Sequence, residues 1–189
     1  MGLLIVRPSE VIMKLIRLIT FLLLLTFPAL AATADKQEPL LIQGDLFTVS
    51  VREPAGWSAD STGQASERVN LVLYRDKRDA AGGRPTMRVL VSNKTDEKTE
   101  EDLIYDMESY RKKFPGVQFK DIVMKHPEYR AFPRLFYVEG GFYEYVTYLN
   151  PGKGYRYLIA ISMNLQKTEA TSEDLQAYTA LVASIKALK

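Results

Sequence analysis

The 189-residue chain contains no cysteine, and it has only one histidine, His126, and one tryptophan, Trp57. Each scarcity closes a class of chemistry. With no thiolate and one imidazole, a zinc site of the usual histidine and cysteine kind cannot fill its coordination sphere. A cysteine nucleophile is excluded, and a Ser-His-Asp site would have to be built on His126, which precedes Pro127 in a turn and reads as a solvated loop residue. The chain also lacks a dominant charge, with 25 basic against 23 acidic side chains.

A long apolar run is missing too, and the one that exists is short. Lys14 and Arg17 precede Leu18 to Phe27, broken only by Thr20 and Thr26, and Pro28-Ala-Leu-Ala-Ala-Thr-Ala34 follows. A helix of about ten residues spans roughly half of a bilayer core, so this pattern predicts a secretory signal peptide over residues 1–34, cleaved after Ala31 or Ala34. Met13 is an alternative start. The competing reading, an anchor helix from Leu15 to Ala32, loses to the Pro28 break and the small residues after it. No cysteine follows the leader to carry a lipid. The expected product is periplasmic or secreted, with no stable membrane insertion after cleavage.

The leader holds Arg7, Lys14, Arg17 and Glu10, a net charge equal to the +2 of the whole chain. Residues 35–189 are therefore formally neutral, and no global field draws them to nucleic acid. An exported domain without cysteine relies on its core rather than on disulfides. About 155 residues suffice for one such core, so residues 35–189 are expected to be a single domain.

Period-two alternation marks the strands. Phe47, Val49 and Val51 alternate with polar residues up to Pro54-Ala-Gly-Trp57, and Val69 to Leu73 and Met87 to Val91 form a hairpin around a polar turn at 76–84. The charge run from Thr95 to Asp102 reads as a helix start with capping-box spacing between Thr99 and Asp102, because a calcium loop would need a glycine turn and a different ligand spacing. Leu103, Ile104, Met107, Tyr110 and Phe114 mark the face of that helix. Strands are expected at 119–125, 134–139, 142–149 and 155–163, separated by turn residues, and a last helix from Ser172 to Leu188, capped by Thr171 or Ser172. This order predicts an α+β fold with an antiparallel sheet.

The motif Phe47-x-Val-x-Val51-x-x-Pro54-x-Gly-Trp57, the hairpin and helix after it, the meander, and the closing Ala183-Ser-Ile185 resemble the PsbP-like fold over residues 40–189. Members of that family include the extrinsic photosystem II subunit and a Ran-binding nuclear import factor. The resemblance implies a central antiparallel sheet sandwiched by helices, and proteins that mostly bind others or assemble complexes. It carries over no functional residue.

The one compositional oddity is tyrosine, with seven of eleven between Tyr129 and Tyr157. If Gly140-Gly141 is a two-residue hairpin loop, Tyr137, Glu144, Tyr148 and Arg156 share a sheet face of mixed aromatic and charged character, suited to recognition. The same face would serve as core if the final helix or the amino-terminal segment covered it. Glu139 and Glu144, flanking that turn, are the candidate carboxylate pair of a hydrolase. Trp57 is expected to lock its turn against the core. The expectation is a non-catalytic binding or assembly accessory protein of the cell envelope, not an enzyme, using no cofactor and no metal. Its partner would be another envelope protein, and its oligomeric state is left open. A carrier or sensor of a small apolar ligand and a carboxylate-dependent hydrolase are the alternatives.

Overall fold

The computed structural model describes residues 38–60, 69–75, 85–94 and 99–188. The expected leader and the turn at 76–84 lie outside these residues. Gln37–Lys189 form one compact unit. Ten strands and two helices are described: β1 Leu40–Gly44, β2 Phe47–Val51, β3 Trp57–Ala59, β4 Leu71–Arg75, β5 Thr86–Asn93, α1 Thr99–Lys113, β6 Gln118–Asp121, β7 Arg130–Val138, β8 Phe142–Asn150, β9 Tyr157–Gln166, α2 Ser172–Ser184 and β10 Lys186–Leu188. The strands form a seven-stranded sheet in the order β3-β4-β5-β9-β8-β7-β6 and a three-stranded sheet in the order β1-β2-β10. Every described pairing is antiparallel.

The two faces of the large sheet differ because the two side-chain sets of each strand differ. One face carries Met87, Val89 and Val91 of β5 opposite Met163, Ile161 and Ile159 of β9, and these large residues are buried in the main core. The other face carries Arg88, Leu90 and Ser92 opposite Ser162, Ala160 and Leu158. Small and polar side chains on this second face leave room above β5 and β9.

On the first face α2 packs through Tyr178, Leu181 and Val182, together with Ile42, Val49 and Val51 of the small sheet. Its start is well specified: the Thr171 hydroxyl accepts from the Asp174 amide at 3.2 Å, and an Asp174 carboxylate oxygen accepts from the Thr171 amide at 3.0 Å. Asp174 also pairs with Arg75 of β4. The helix stops at Ser184, earlier than periodicity predicts. Ile185 turns extended, and Lys186–Leu188 pair with β2 instead. On the second face α1 packs through Leu103, Met107 and Tyr110 against Phe136, Val146, Tyr148 and Leu158.

The element order expected from the sequence is present: strand and Trp57 turn, hairpin, helix, meander and closing helix. The expected sandwich by helices is met only in part, although α1 and α2 pack on opposite faces of the large sheet. Strand dominates the described residues, and one face is covered jointly by a helix and the small sheet, because β1 and β10 both pair with β2 to make that second layer.

Candidate functional site

The room left above β5 and β9 is a cavity of about 300 Å³ between α1 and the large sheet. Its apolar lining comes from Val69, Leu90, Phe136, Val146, Leu158 and Ala160, and its polar lining from Arg88, Ser92, Asp102, Tyr105, Asp106, Tyr110, Glu144, Tyr148 and Ser162. Helical spacing accounts for the α1 contribution, since Asp102, Asp106 and Tyr110 recur every four residues and so form one stripe beside the Leu103 and Met107 anchors. Strand alternation accounts for the β8 contribution, since Glu144, Val146 and Tyr148 point the same way.

Two tyrosines fix two carboxylates across the cavity wall. The Tyr110 hydroxyl donates to Glu144 Oε2 at 2.5 Å, and the Tyr148 hydroxyl donates to Asp106 Oδ2. Each bond joins α1 to β8 in the opposite sense, one tyrosine from each element. Glu144 and Tyr148 are buried, and the Tyr110 ring meets Phe136 edge-on at 4.8 Å. Burial pushes the Asp106 carboxyl up to about 6, and the neighbouring charges of Asp102 and Glu144 push the same way. Tyr110 is raised as well, by burial and then by the Glu144 charge and hydrogen bond, with Arg88 opposing. Among the described residues no group of three histidine, cysteine or acidic side chains is arranged to hold a metal ion.

The four sequence-derived binding residues do not meet. Glu144 and Tyr148 line the cavity, but Tyr137 lies on the opposite face and Arg156 precedes β9 in an exposed loop. For Tyr137 the cause is the β7–β8 turn. Val138 pairs with Phe142, so the loop is Glu139-Gly140-Gly141, one residue longer than assumed. A one-residue slip turns every side chain of the strand over. Tyr137 therefore pairs with Tyr143, stacks on it at 5.8 Å and donates to Gln118 Oε1 at 2.8 Å. Arg156 borders a second depression with Gly44–Thr48, Tyr155, Tyr157 and Leu188. The Glu139 and Glu144 pair does not form, because Glu139 sits exposed in the turn and Glu144 is buried under α1. Asp106 takes the place of Glu139 as the carboxylate beside Glu144.

His126 is not a solvated loop residue. It is buried, stacked on Tyr129 at 4.4 Å, and its Nδ1 accepts from the amides of Glu128 and Tyr129, both at 3.0 Å. Nε2 must then carry the proton, which it donates to the Ile185 carbonyl at 3.0 Å. Nδ1 thus fixes the turn of its own loop, and Nε2 ties that loop to the end of α2.

No protein-family model matches the chain, and no curated protein sequence matches it. Solved structures do. The crystal structure of LpqN, described as involved in cell envelope biogenesis of Mycobacterium tuberculosis, aligns over 80% of this chain and 91% of its own with 14% identity and a TM-score of 0.56. This chain shares the LpqN fold. A solution structure of cyanobacterial PsbP from Synechocystis sp. PCC 6803 aligns over 74% of this chain and 86% of its own, with 15% identity and a TM-score of 0.44. Among the described residues no helix is long and apolar enough to cross a membrane.

Proposed function

We propose that this chain is an exported accessory protein of the cell envelope that acts by binding, without catalysis, through the cleft between α1 and the large sheet. The observation that carries the reading is the cavity of about 300 Å³, where tyrosine hydroxyls from the facing element hold two carboxylates in place, the buried Glu144 and the half-buried Asp106. A concave site with a partly apolar lining and a few fixed polar groups is what recognition requires. The LpqN fold and the envelope role named for that protein support the location, as does the leader expected from the sequence. With its only imidazole spent on backbone groups, the chain has no histidine left to act as a base.

Photocrosslinking of the exported full chain tests this. A benzophenone side chain at Tyr105, on the exposed rim of the cavity, should yield a discrete adduct in envelope fractions, whereas one at Val123, exposed in the loop after β6, should not. Equal adducts at both positions, or none at Tyr105, contradict the reading. A carboxylate-dependent hydrolase is the second reading, favoured by the raised Asp106 carboxyl beside Glu144. It would show turnover of an envelope glycan that Asp106→Asn abolishes.

A further inference from the structure

We infer that the α1 cavity takes an organic ammonium group carried on an apolar stem; this rests on the reading of the cleft as the binding site. The cavity is not an open acidic surface. Glu144 is only 8% exposed, and it reaches the cavity from the middle of the sheet, beneath the helix. A ligand that fills about 300 Å³ shuts solvent out from Asp106 and Glu144. An apolar ligand would leave both carboxylates further desolvated, an anion would add repulsion, and a neutral donor would supply hydrogen bonds without charge, so a cationic donor offsets the cost of occupancy most fully. The lining holds three carboxylates, Asp102, Asp106 and Glu144, against one guanidinium, Arg88. A bare metal ion is the poorer fit, since no three acidic side chains among the described residues are arranged to hold one. Leu90, Val146, Leu158 and Ala160 supply the wall for an aliphatic stem, and the phenol rings of Tyr105 and Tyr110 add faces that attract a cation.

The arrangement couples binding to protons. Asp106 is faced by Asp102 and Tyr110 from its own helix and by Glu144 and Tyr148 from β8, with Arg88 of β5 lining the same cavity. With its carboxyl titrating at about 6, Asp106 is ionised above that pH and neutral below it, so acidification weakens the hold on an ammonium group.

The test is an amide-shift titration of the full chain with n-butylamine, n-butanol and butyrate, and with Nα-acetyl-lysine methylamide. At a pH of about 7.5 the amines alone should produce saturable shifts at Ser92, Ala160 and Ser162. Their binding should weaken about fivefold or more when the pH falls to about 5, and by a similar factor in Glu144→Gln. Ala160→Phe, which fills the cavity and leaves every carboxylate in place, should abolish the shifts with its unfolding temperature kept. Lysine amide binding about tenfold tighter than butylamine assigns the stem to a peptide side chain; the reverse order assigns it to a small free amine. Butanol binding as well as butylamine, or amines that leave the cleft signals unmoved, overturns the inference. Position-specific crosslinking without an amine response would discard the ammonium ligand and keep the cleft. An amine response without crosslinking would do the opposite.

Discussion

His126 shows how much one side chain can reverse its sequence reading. A histidine before a proline looks like solvent-exposed loop, yet three backbone contacts bury it as a neutral peg. Burial lowers its pKa, opposed by the Ile185 hydrogen bond and the Glu128 charge. The unfolded chain therefore binds this proton more readily than the folded one. Its stabilisation is complete above the unfolded value of about 6.5 and is lost as the pH falls through the lower folded value. His126→Gln should flatten that acid limb of a urea-unfolding profile, and an unchanged profile would contradict the peg. Asp106 has the opposite sign. Its raised carboxyl makes the folded chain hold a proton that the unfolded chain has lost, so between about 3.8 and about 6 stability falls as the pH rises. Asp106→Asn should be more stable than the parent chain above that window and should lose the advantage below it. Equal stability at neutral pH would refute the desolvation of Asp106. In the core, Tyr178 donates to the Ile161 carbonyl at 2.9 Å and accepts from Thr147 at 3.0 Å with no exposure. Tyr178→Phe should cost about 1 to 2 kcal/mol in equilibrium unfolding.

Among the elements, those with regular alternation or a sharp turn were legible. The β4–β5 hairpin, the cap at Thr171 and the burial of Trp57 follow from local pattern, because each depends on residues close in the chain. Trp57 starts a short strand, β3, and its ring carries the Arg75 guanidinium at 5.8 Å. Trp57→Ala should therefore destabilise by about 3 to 5 kcal/mol, and a loss below about 1 kcal/mol would contradict its place in the core. What stayed illegible was set by partners far away in sequence. Ile185 leaves the helical path although Val182 and Ile185 continue its apolar spacing, because β2 offers Lys186–Leu188 a strand partner and His126 takes the Ile185 carbonyl. The β7–β8 loop has three residues instead of two, and that single register step removes Tyr137 from the expected face. Ile104 was assigned to the buried stripe of α1 and is 55% exposed, while Asp106, hidden in a run of charges, points inward. A carboxylate spaced three and four residues from Leu103 and Tyr110 was the available signal.

At the scale of the whole molecule, two unlike faces of one sheet divide the work. The face of Met87, Val89, Ile159 and Ile161 is sealed by α2 and the small sheet and gives the fold its core. The face of Arg88, Ser92, Ala160 and Ser162 is only partly covered by α1 and leaves the cavity. The four expected residues are split by this division: Glu144 and Tyr148 line the cleft, while Tyr137 and Arg156 belong to other surfaces. The central claim is that this cleft is where the protein binds, and the most direct measurement is the affinity of the molecule crosslinked at Tyr105 for the parent chain and for Ala160→Phe. A cleft that binds predicts a loss of about tenfold or more with an unchanged unfolding temperature. Equal affinities for the two chains would place recognition elsewhere and contradict the account.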